Sequence, residues 1–166
     1  MNMSAVAKAP QAMSGPPDSI RRVLLGTDLS AVSDRAADQA IELAAEHGAQ
    51  LIVLTVVDSR GFRLPGGRFL KRVDEERTRA EAAAQALVSR ARVAGAKATF
   101  LVWEGDPVES IVSASEAERA DVIVLGTHGR GRFGRLVRGS ISRQVHDQVA
   151  CEVVVVPSGP GLPEGD

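Results

Sequence analysis

The chain has 166 residues, the size of one ordinary domain, and a formal net charge of −1. Hydrophobic residues at 44% and charged residues at 25% are typical of a soluble globular protein. The near-neutral balance gives no overall attraction to nucleic acid or to an anionic membrane, so any positive site must be local. Because the first residues lack the apolar stretch of a signal peptide and no segment reaches the ~20 apolar residues of a membrane span, we expect a cytoplasmic protein.

The two ends of the chain differ in composition from the middle. Residues 1–19 contain three prolines and almost no large apolar side chain, so we expect a disordered tail. Residues 158–166 are rich in Pro and Gly, and we expect a second flexible tail there. Residues 20–157 are predicted to form one domain. The single cysteine, Cys151, precedes an apolar run and is expected to be a small buried hydrophobe rather than a nucleophile.

Within that domain, short apolar runs alternate with longer segments of helical period. Ser33 and Gly48 are predicted to begin and end the first helix, and Asp106, followed by Pro107 and Glu109, marks the start of the third. The alternation predicts an α/β fold with a parallel sheet and helices on both faces, because each parallel connection needs a crossover. Strands are predicted at 22–27, 50–58, 97–105, 121–126 and 151–157, and helices at 33–48, 71–94, 107–118 and 141–150.

Similar residues follow the first and fourth strands. Leu25-Gly26-Thr27-Asp28 closes the first strand, and Leu125-Gly126-Thr127-His128 closes the fourth. In parallel sheets, ligands bind beyond the carboxyl ends of the strands, where the direction of the connections reverses. If these two strands are neighbours, the two loops face one crevice.

The segment GTHGRGRFGRLVRGS, residues 126–140, contains five glycines, four arginines and no acidic residue. Glycines let backbone N–H groups converge on an anion, and the following helix adds its own unpaired N–H groups, so the segment predicts a phosphate site. A solvated turn, with arginines that serve solubility, is the alternative. A P-loop is excluded because the chain has no Gly-Lys pair, and GRGRFG matches the dinucleotide fingerprint only weakly, since no second strand with an acidic end follows it.

Gly126, Gly129, Gly139 and Ser140 follow the pattern G-x-x-G-x9-G-S, which resembles the ATP-binding signature of the universal stress protein family. The resemblance extends over residues 22–157. It implies a Rossmann-like fold of the adenine nucleotide alpha hydrolase type, with strand order 3-2-1-4-5. It also implies ATP as the ligand, with Mg²⁺ left open, Asp28 near the ribose and phosphates, and the backbone of Val56 beside the adenine.

The resemblance further implies which residues surround the phosphates. They are Gly126, Thr127, Gly129, Arg130, Gly131, Arg132, Gly139, Ser140, Ile141 and Ser142. Gly26 and Thr27 of the first loop complete the expected site, although family members vary at Gly26. Two roles stay open at this point: Asp28 is either a ligand or a helix cap, and His128 is either a phosphate contact or an exposed loop residue.

These observations predict a regulatory, stress-response nucleotide-binding protein with slow or no ATP hydrolysis, because no lysine or acid lies between Gly126 and Gln144 to act in catalysis. The alternatives are a slow ATPase, a small flavin or electron carrier, and a nucleic-acid binder using the arginine-rich segment. Few aromatic side chains are available to stack on bases. The apolar strand Val153–Val156 at a sheet edge predicts a homodimer, and the basic segment Ser59–Arg72 is a candidate lid.

Overall fold

The computed structural model describes residues 19–61, 67–126 and 140–157. Most of the predicted N-terminal tail and the whole predicted C-terminal tail, residues 1–18 and 158–166, lie outside the described residues. So does the middle of the basic segment after the second strand, residues 62–66.

The described residues contain a five-stranded sheet with the order β3-β2-β1-β4-β5, in which every neighbouring pair is parallel. This confirms the predicted α/β class and the strand order that the family resemblance implies. The chain adds strands on one side of β1 and then crosses to β4 on the other. The strands are β1 (Arg22–Gly26), β2 (Gln50–Val57), β3 (Lys97–Glu104), β4 (Val122–Gly126) and β5 (Glu152–Val156).

Four α-helices and two short 3-10 turns connect these strands in the described part of the chain. The helices are α1 (Asp34–His47), α2 (Gly67–Val93), α3 (Pro107–Ala117) and α4 (Ser140–Gln148), and the 3-10 turns are Ala31–Ser33 and Ser59–Gly61. The predicted start of α2 near Lys71 was wrong, since the helix begins at Gly67. A glycine is tolerated at the first position of a helix, and the basic and apolar residues that follow are good helix formers.

The helix ends show which sequence signals acted as caps. Gly48 ends α1 in the left-handed conformation with φ of 61°, as predicted. The Asp106 side chain accepts a hydrogen bond of 2.9 Å from the backbone N–H of Glu109, so it caps α3, as predicted. Ser33 lies at the cap position of α1, but its side chain makes no capping hydrogen bond. That part of the prediction was wrong, because the Ser33 hydroxyl is used elsewhere in the same loop.

Alternate residues of the strands face two separate apolar layers. Val23 and Leu25 point to the face covered by α1 and α2, where Ala40 and Val88 pack against them. Neighbouring side chains such as Leu24 point to the opposite face, which is covered by α3 and α4. A central sheet buried on both faces explains the unbroken apolar runs of β1, β2 and β4. It also leaves the carboxyl ends of the strands as the natural place for a ligand.

Candidate functional site

The carboxyl ends of β1 and β4 lie side by side. Gly26 at the end of β1 is the register partner of Leu125, and Leu25 is the partner of Val124. The point at which the strand order reverses is therefore between these two strands. This arrangement confirms the condition under which the loops after Gly26 and Gly126 would face one crevice.

Gly26 is required by packing at this point. A Cβ atom built on Gly26 would lie 2.6 Å from Cδ2 of Leu125 and 3.3 Å from Cδ1 of Ile111. Both neighbours are buried, so they have little room to move. A Cβ on Gly126 would meet only ordinary contact, 3.7 Å from Cβ of Ala36. Gly26 thus has a structural role that the sequence did not indicate, and its contact with a ligand stays a prediction.

Thr27 anchors the loop that follows β1. Its backbone N–H donates to the carbonyl oxygen of Leu54 at 3.0 Å, which ties the loop to β2. Its Oγ1 accepts from the N–H of Leu29 at 3.0 Å and lies 3.0 Å from Oγ of Ser33. Because Thr27 is buried, with 4% of its surface exposed, these hydrogen bonds are shielded from water.

Asp28 is held by the same loop. Its Oδ1 accepts from the backbone N–H of Ser30 at 3.0 Å, from Oγ of Ser30 at 2.6 Å and from Oγ of Ser33 at 2.9 Å. Hydrogen bonds to an ionised carboxylate are the stronger kind. Asp28 does not occupy the cap position of α1, which belongs to Ser33. Asp28 is therefore not the cap residue of α1, and its contact with a ligand stays a prediction.

Leu29 takes an uncommon backbone conformation between these polar residues. Its φ is 61°, in the left-handed region, which a bulky side chain occupies at a cost on the order of 1 kcal/mol. The Leu29 N–H bond to Thr27 offsets part of that cost, and its side chain packs against the α1 and α2 layer. The loop is thus held by hydrogen bonds on both sides of Leu29, at Thr27 and at Asp28.

A cavity of about 400 Å³ lies between this loop, the end of β2 and helix α2. It brings together two predicted site residues, Asp28 and Val56. Its volume falls within the ~300–1,000 Å³ range of small-molecule sites. The lining residues are Asp28, Leu29, Thr55, Val56, Val57, Asp58, Glu76, Arg79, Ala80 and Ala83.

Sequence reasoning did not assign the other charged residues around this cavity. Asp58 follows β2 and is paired with Arg60, whose Nε and one terminal nitrogen contact the two carboxylate oxygens at 2.8 Å each. The hydrogen bond to Asp58, assisted by the charges of Asp58 and Asp106, raises the pKa of Arg60 above its ordinary value. Glu76 of α2 lies 3.3 Å from a terminal nitrogen of Arg72 and 3.6 Å from one of Arg79.

Helix α4 begins at the same edge of the sheet, because a crossover between parallel strands runs back from the carboxyl end of the first. The Oγ of its first residue, Ser140, is buried and has no hydrogen-bond partner in the described part of the chain. Ile141 packs against the α3 and α4 layer, and Ser142 is buried. A buried hydroxyl without a partner is costly, which marks Ser140 as a group that a ligand oxygen would satisfy.

The remaining predicted phosphate contacts fall where no structure is described. They are Thr127, His128, Gly129, Arg130, Gly131, Arg132 and Gly139. Their roles stay predictions from the sequence. Within residues 19–61, 67–126 and 140–157, no group of three or more metal-ligating side chains is found.

Three further features lie away from the cavity. Strand β5 is at the edge of the sheet, and Val155 exposes 39% of its surface. Cys151 is half-buried against the α3 and α4 layer, and burial raises the pKa of its thiol. None of the helices in the described part of the chain combines the length and the apolar character needed to cross a bilayer.

Comparison with known proteins identifies relatives in sequence and in structure. A universal stress protein of Thermus aquaticus is 36% identical over 141 residues, which cover 82% of this chain and 98% of that protein. A universal stress protein solved in complex with cAMP shares 27% identity with a TM-score of 0.63, covering 85% of this chain and 99% of that one. A universal stress protein from Archaeoglobus fulgidus, solved in complex with dAMP, shares 25% identity with a TM-score of 0.61, covering 82% and 98%.

The profile of the Universal stress protein family matches residues 19–157, which include every strand and helix described above. This chain therefore belongs to the universal stress protein family.

Proposed function

We propose that this protein is a regulatory, stress-response module that binds ATP or a related adenine nucleotide at the carboxyl ends of β1, β2 and β4. The observation that carries the proposal is the cavity at the carboxyl ends of β1 and β2, which is lined by Val56 and by Asp28, whose carboxylate is held by Ser33. The related structures with cAMP and dAMP support an adenine nucleotide as the ligand class.

The nucleoside part of the ligand fits this cavity better than the phosphates do. Among the described lining residues, Asp28, Asp58 and Glu76 are acidic and Arg79 is basic. A ribose offers hydroxyl donors that a carboxylate accepts, whereas a phosphate would be repelled. We assign the adenine to the space beside Val56 and the ribose to Asp28, with Thr27 supporting the loop.

The phosphates are assigned to the start of α4 and the glycine-rich segment before it. The buried Ser140 hydroxyl has no partner among the described residues, and the start of a helix such as α4 favours an anion. Ser140, Ile141, Ser142 and the glycines and arginines of 126–139 would together surround the phosphate chain, and Mg²⁺ would reduce its charge when present.

We propose that hydrolysis is slow or absent. Fast phosphoryl transfer needs a positioned base and a cation clamp, and the segment between Gly126 and Gln144 contains neither a lysine nor an acid. A slow ATPase is the alternative, in which Asp28 would be the candidate carboxylate on the metal side of the phosphates.

We also propose a homodimer formed through strand β5. This strand has a neighbour, β4, on one side, and its apolar residues Val153–Val156 lie at the sheet edge. An apolar edge strand offers a row of backbone groups and side chains that a second copy can cover.

The experiment that tests the nucleotide assignment is isothermal titration calorimetry of the full chain with ATP, ADP, AMP, cAMP and flavin mononucleotide, combined with a phosphate-release assay. We expect binding of adenine nucleotides, no binding of the flavin and turnover far below the ~1–100 s⁻¹ of kinases. A protein that binds none of the adenine nucleotides contradicts the proposal, and rapid ATP turnover contradicts the regulatory role.

A further inference from the structure

An anionic ligand meets an electrostatic obstacle at this cavity. Asp28, Asp58 and Glu76 all face the space into which the nucleoside would enter, and each carries a negative charge at neutral pH. Negative carboxylates near a bound phosphate chain repel it and weaken its binding, and this repulsion grows with the negative charge of the ligand. The site therefore needs cations that compensate its own carboxylates.

Compensation matters more at Asp58 than at Glu76. Its side chain exposes 16% of its surface, against 28% for Glu76, so water screens it less. Arg60 contacts both of its oxygens at 2.8 Å through a side-by-side pair of N–H groups. This bidentate geometry is the strongest form of pairing between an arginine and a carboxylate.

Arg60 is also fixed from a second direction. Its other terminal nitrogen donates to Oδ2 of Asp106 at 2.7 Å, while Oδ1 of Asp106 caps helix α3. The guanidinium thus links the segment after β2 to the beginning of α3, although Arg60 and Asp106 are 46 residues apart in the sequence. Although the Arg60 side chain is exposed, ion pairs with Asp58 and Asp106 hold it beside the cavity-lining residue Asp58.

We propose that Arg60 is a specificity-determining residue of the nucleotide site, which favours charged nucleotides over adenosine by compensating the Asp58 carboxylate. This inference rests on the proposed nucleotide-binding function. Arg60 acts through Asp58 and through its own charge, without touching the ligand. It sets how strongly each added phosphate contributes to affinity.

The test compares dissociation constants of ATP and adenosine for the wild type and for Arg60→Gln, Arg60→Lys, Asp58→Asn and the double variant Asp58→Asn/Arg60→Gln. The readout is the ratio of the ATP affinity to the adenosine affinity. An effect on the nucleoside, which both ligands contain, cancels in this ratio. Lys97→Gln is the control, because it removes one exposed positive charge at the amino end of β3, whereas the cavity lies at the carboxyl end of the neighbouring strand β2.

We expect Arg60→Gln to lower the preference for ATP about three- to tenfold at low salt, and high salt to reduce the effect. Asp58→Asn should raise the preference by a similar factor. The double variant removes one charge of each sign and should return to within about twofold of the wild type. Arg60→Lys keeps the charge but loses the bidentate contact, so its preference for ATP should lie between those of the wild type and Arg60→Gln. Lys97→Gln should leave the ratio unchanged.

Two results would overturn this inference alone. If Arg60→Gln weakens ATP and adenosine by the same factor in a folded protein, Arg60 is only structural. If the double variant keeps the full loss of Arg60→Gln, Arg60 contacts the phosphates directly and does not act through Asp58. A wild type that binds no adenine nucleotide would instead overturn the proposed function, and this inference with it.

Discussion

The Oγ of Ser33 donates a hydrogen bond of 2.9 Å to Oδ1 of Asp28, across five residues of the loop after β1. The same hydroxyl lies 2.8 Å from the carbonyl oxygen of Ser30, an acceptor that shares the single hydroxyl hydrogen with Asp28, and 3.0 Å from Oγ1 of Thr27. Ser33 is buried, with 6% of its surface exposed. A single side chain therefore links the first turn before α1 to the carboxylate that we assign to the ribose.

Replacing Ser33 with alanine removes a buried hydrogen-bond donor from Asp28. We expect the free energy of unfolding to fall by about 1–3 kcal/mol, because Thr27 and Asp28 lose a partner. We also expect ATP affinity to fall about fivefold, since the carboxylate is held less firmly. Urea denaturation and calorimetry measure the two effects. Ser89→Ala, on the exposed face of α2, should change neither quantity, and a Ser33→Ala protein with wild-type stability would contradict the account of this loop.

Replacing Ser140 with alanine should separate stability from binding. The Ser140 hydroxyl is buried without a partner among the described residues, so its loss should leave the ligand-free protein as stable or up to about 1 kcal/mol more stable. ATP affinity should fall about five- to tenfold if a phosphate oxygen satisfies that hydroxyl. Ser115→Ala is the contrasting control, because its buried hydroxyl donates to the Val112 carbonyl at 2.7 Å. That variant should lose stability and keep its ATP affinity.

Replacing Gly26 with alanine tests the packing between β1 and β4. The new Cβ would lie 2.6 Å from Cδ2 of Leu125, so a buried side chain must shift, and we expect a loss of about 1–3 kcal/mol in unfolding free energy. Gly67→Ala is the matched control, because nothing lies within 4 Å of the added Cβ. Its stability should stay equal or rise slightly, since alanine favours the helix. Equal stability of both variants would refute the packing role.

Replacing Val155 with lysine tests the proposed dimer. Val155 lies in the edge strand β5 and exposes 39% of its surface, so a charge there would be buried if a second copy covers the strand. We expect sedimentation velocity to show a dimer for the wild type and a monomer for Val155→Lys. Val93→Lys, at the 91% exposed end of α2, should remain dimeric. A monomeric wild type at micromolar concentration would refute the proposal.

The fold was largely predictable from the sequence because each element carries a local signal. The unbroken apolar runs of β1, β2 and β4 reflect burial on both faces of a parallel sheet, and Gly48 and Asp106 mark helix ends through backbone chemistry within a few residues. The start of α2 was missed because Gly67 was taken as part of a loop, although glycine is acceptable at the first position of a helix.

The site was predictable only where a motif or a strand end marks it. Asp28 and Val56 follow from their places at the ends of β1 and β2, and both line the cavity. The position of Arg60 between Asp58 and Asp106 was missed because Asp106 is 46 residues away, and no local periodicity indicates such a contact. The use of Ser33 to orient Asp28 was missed because a serine before a helix is ordinarily a cap. The steric role of Gly26 depends on Leu125, which only the strand pairing reveals.

The most direct test of the nucleotide site is calorimetric titration of ATP and adenosine into the wild type and the Gly129→Val/Gly139→Val double variant. Valine cannot adopt the backbone conformations that let glycine N–H groups converge on a phosphate. The account predicts ATP affinity at least about tenfold lower in the variant, with adenosine affinity nearly unchanged. An unaltered ATP affinity in a variant that circular dichroism shows to be folded would contradict it.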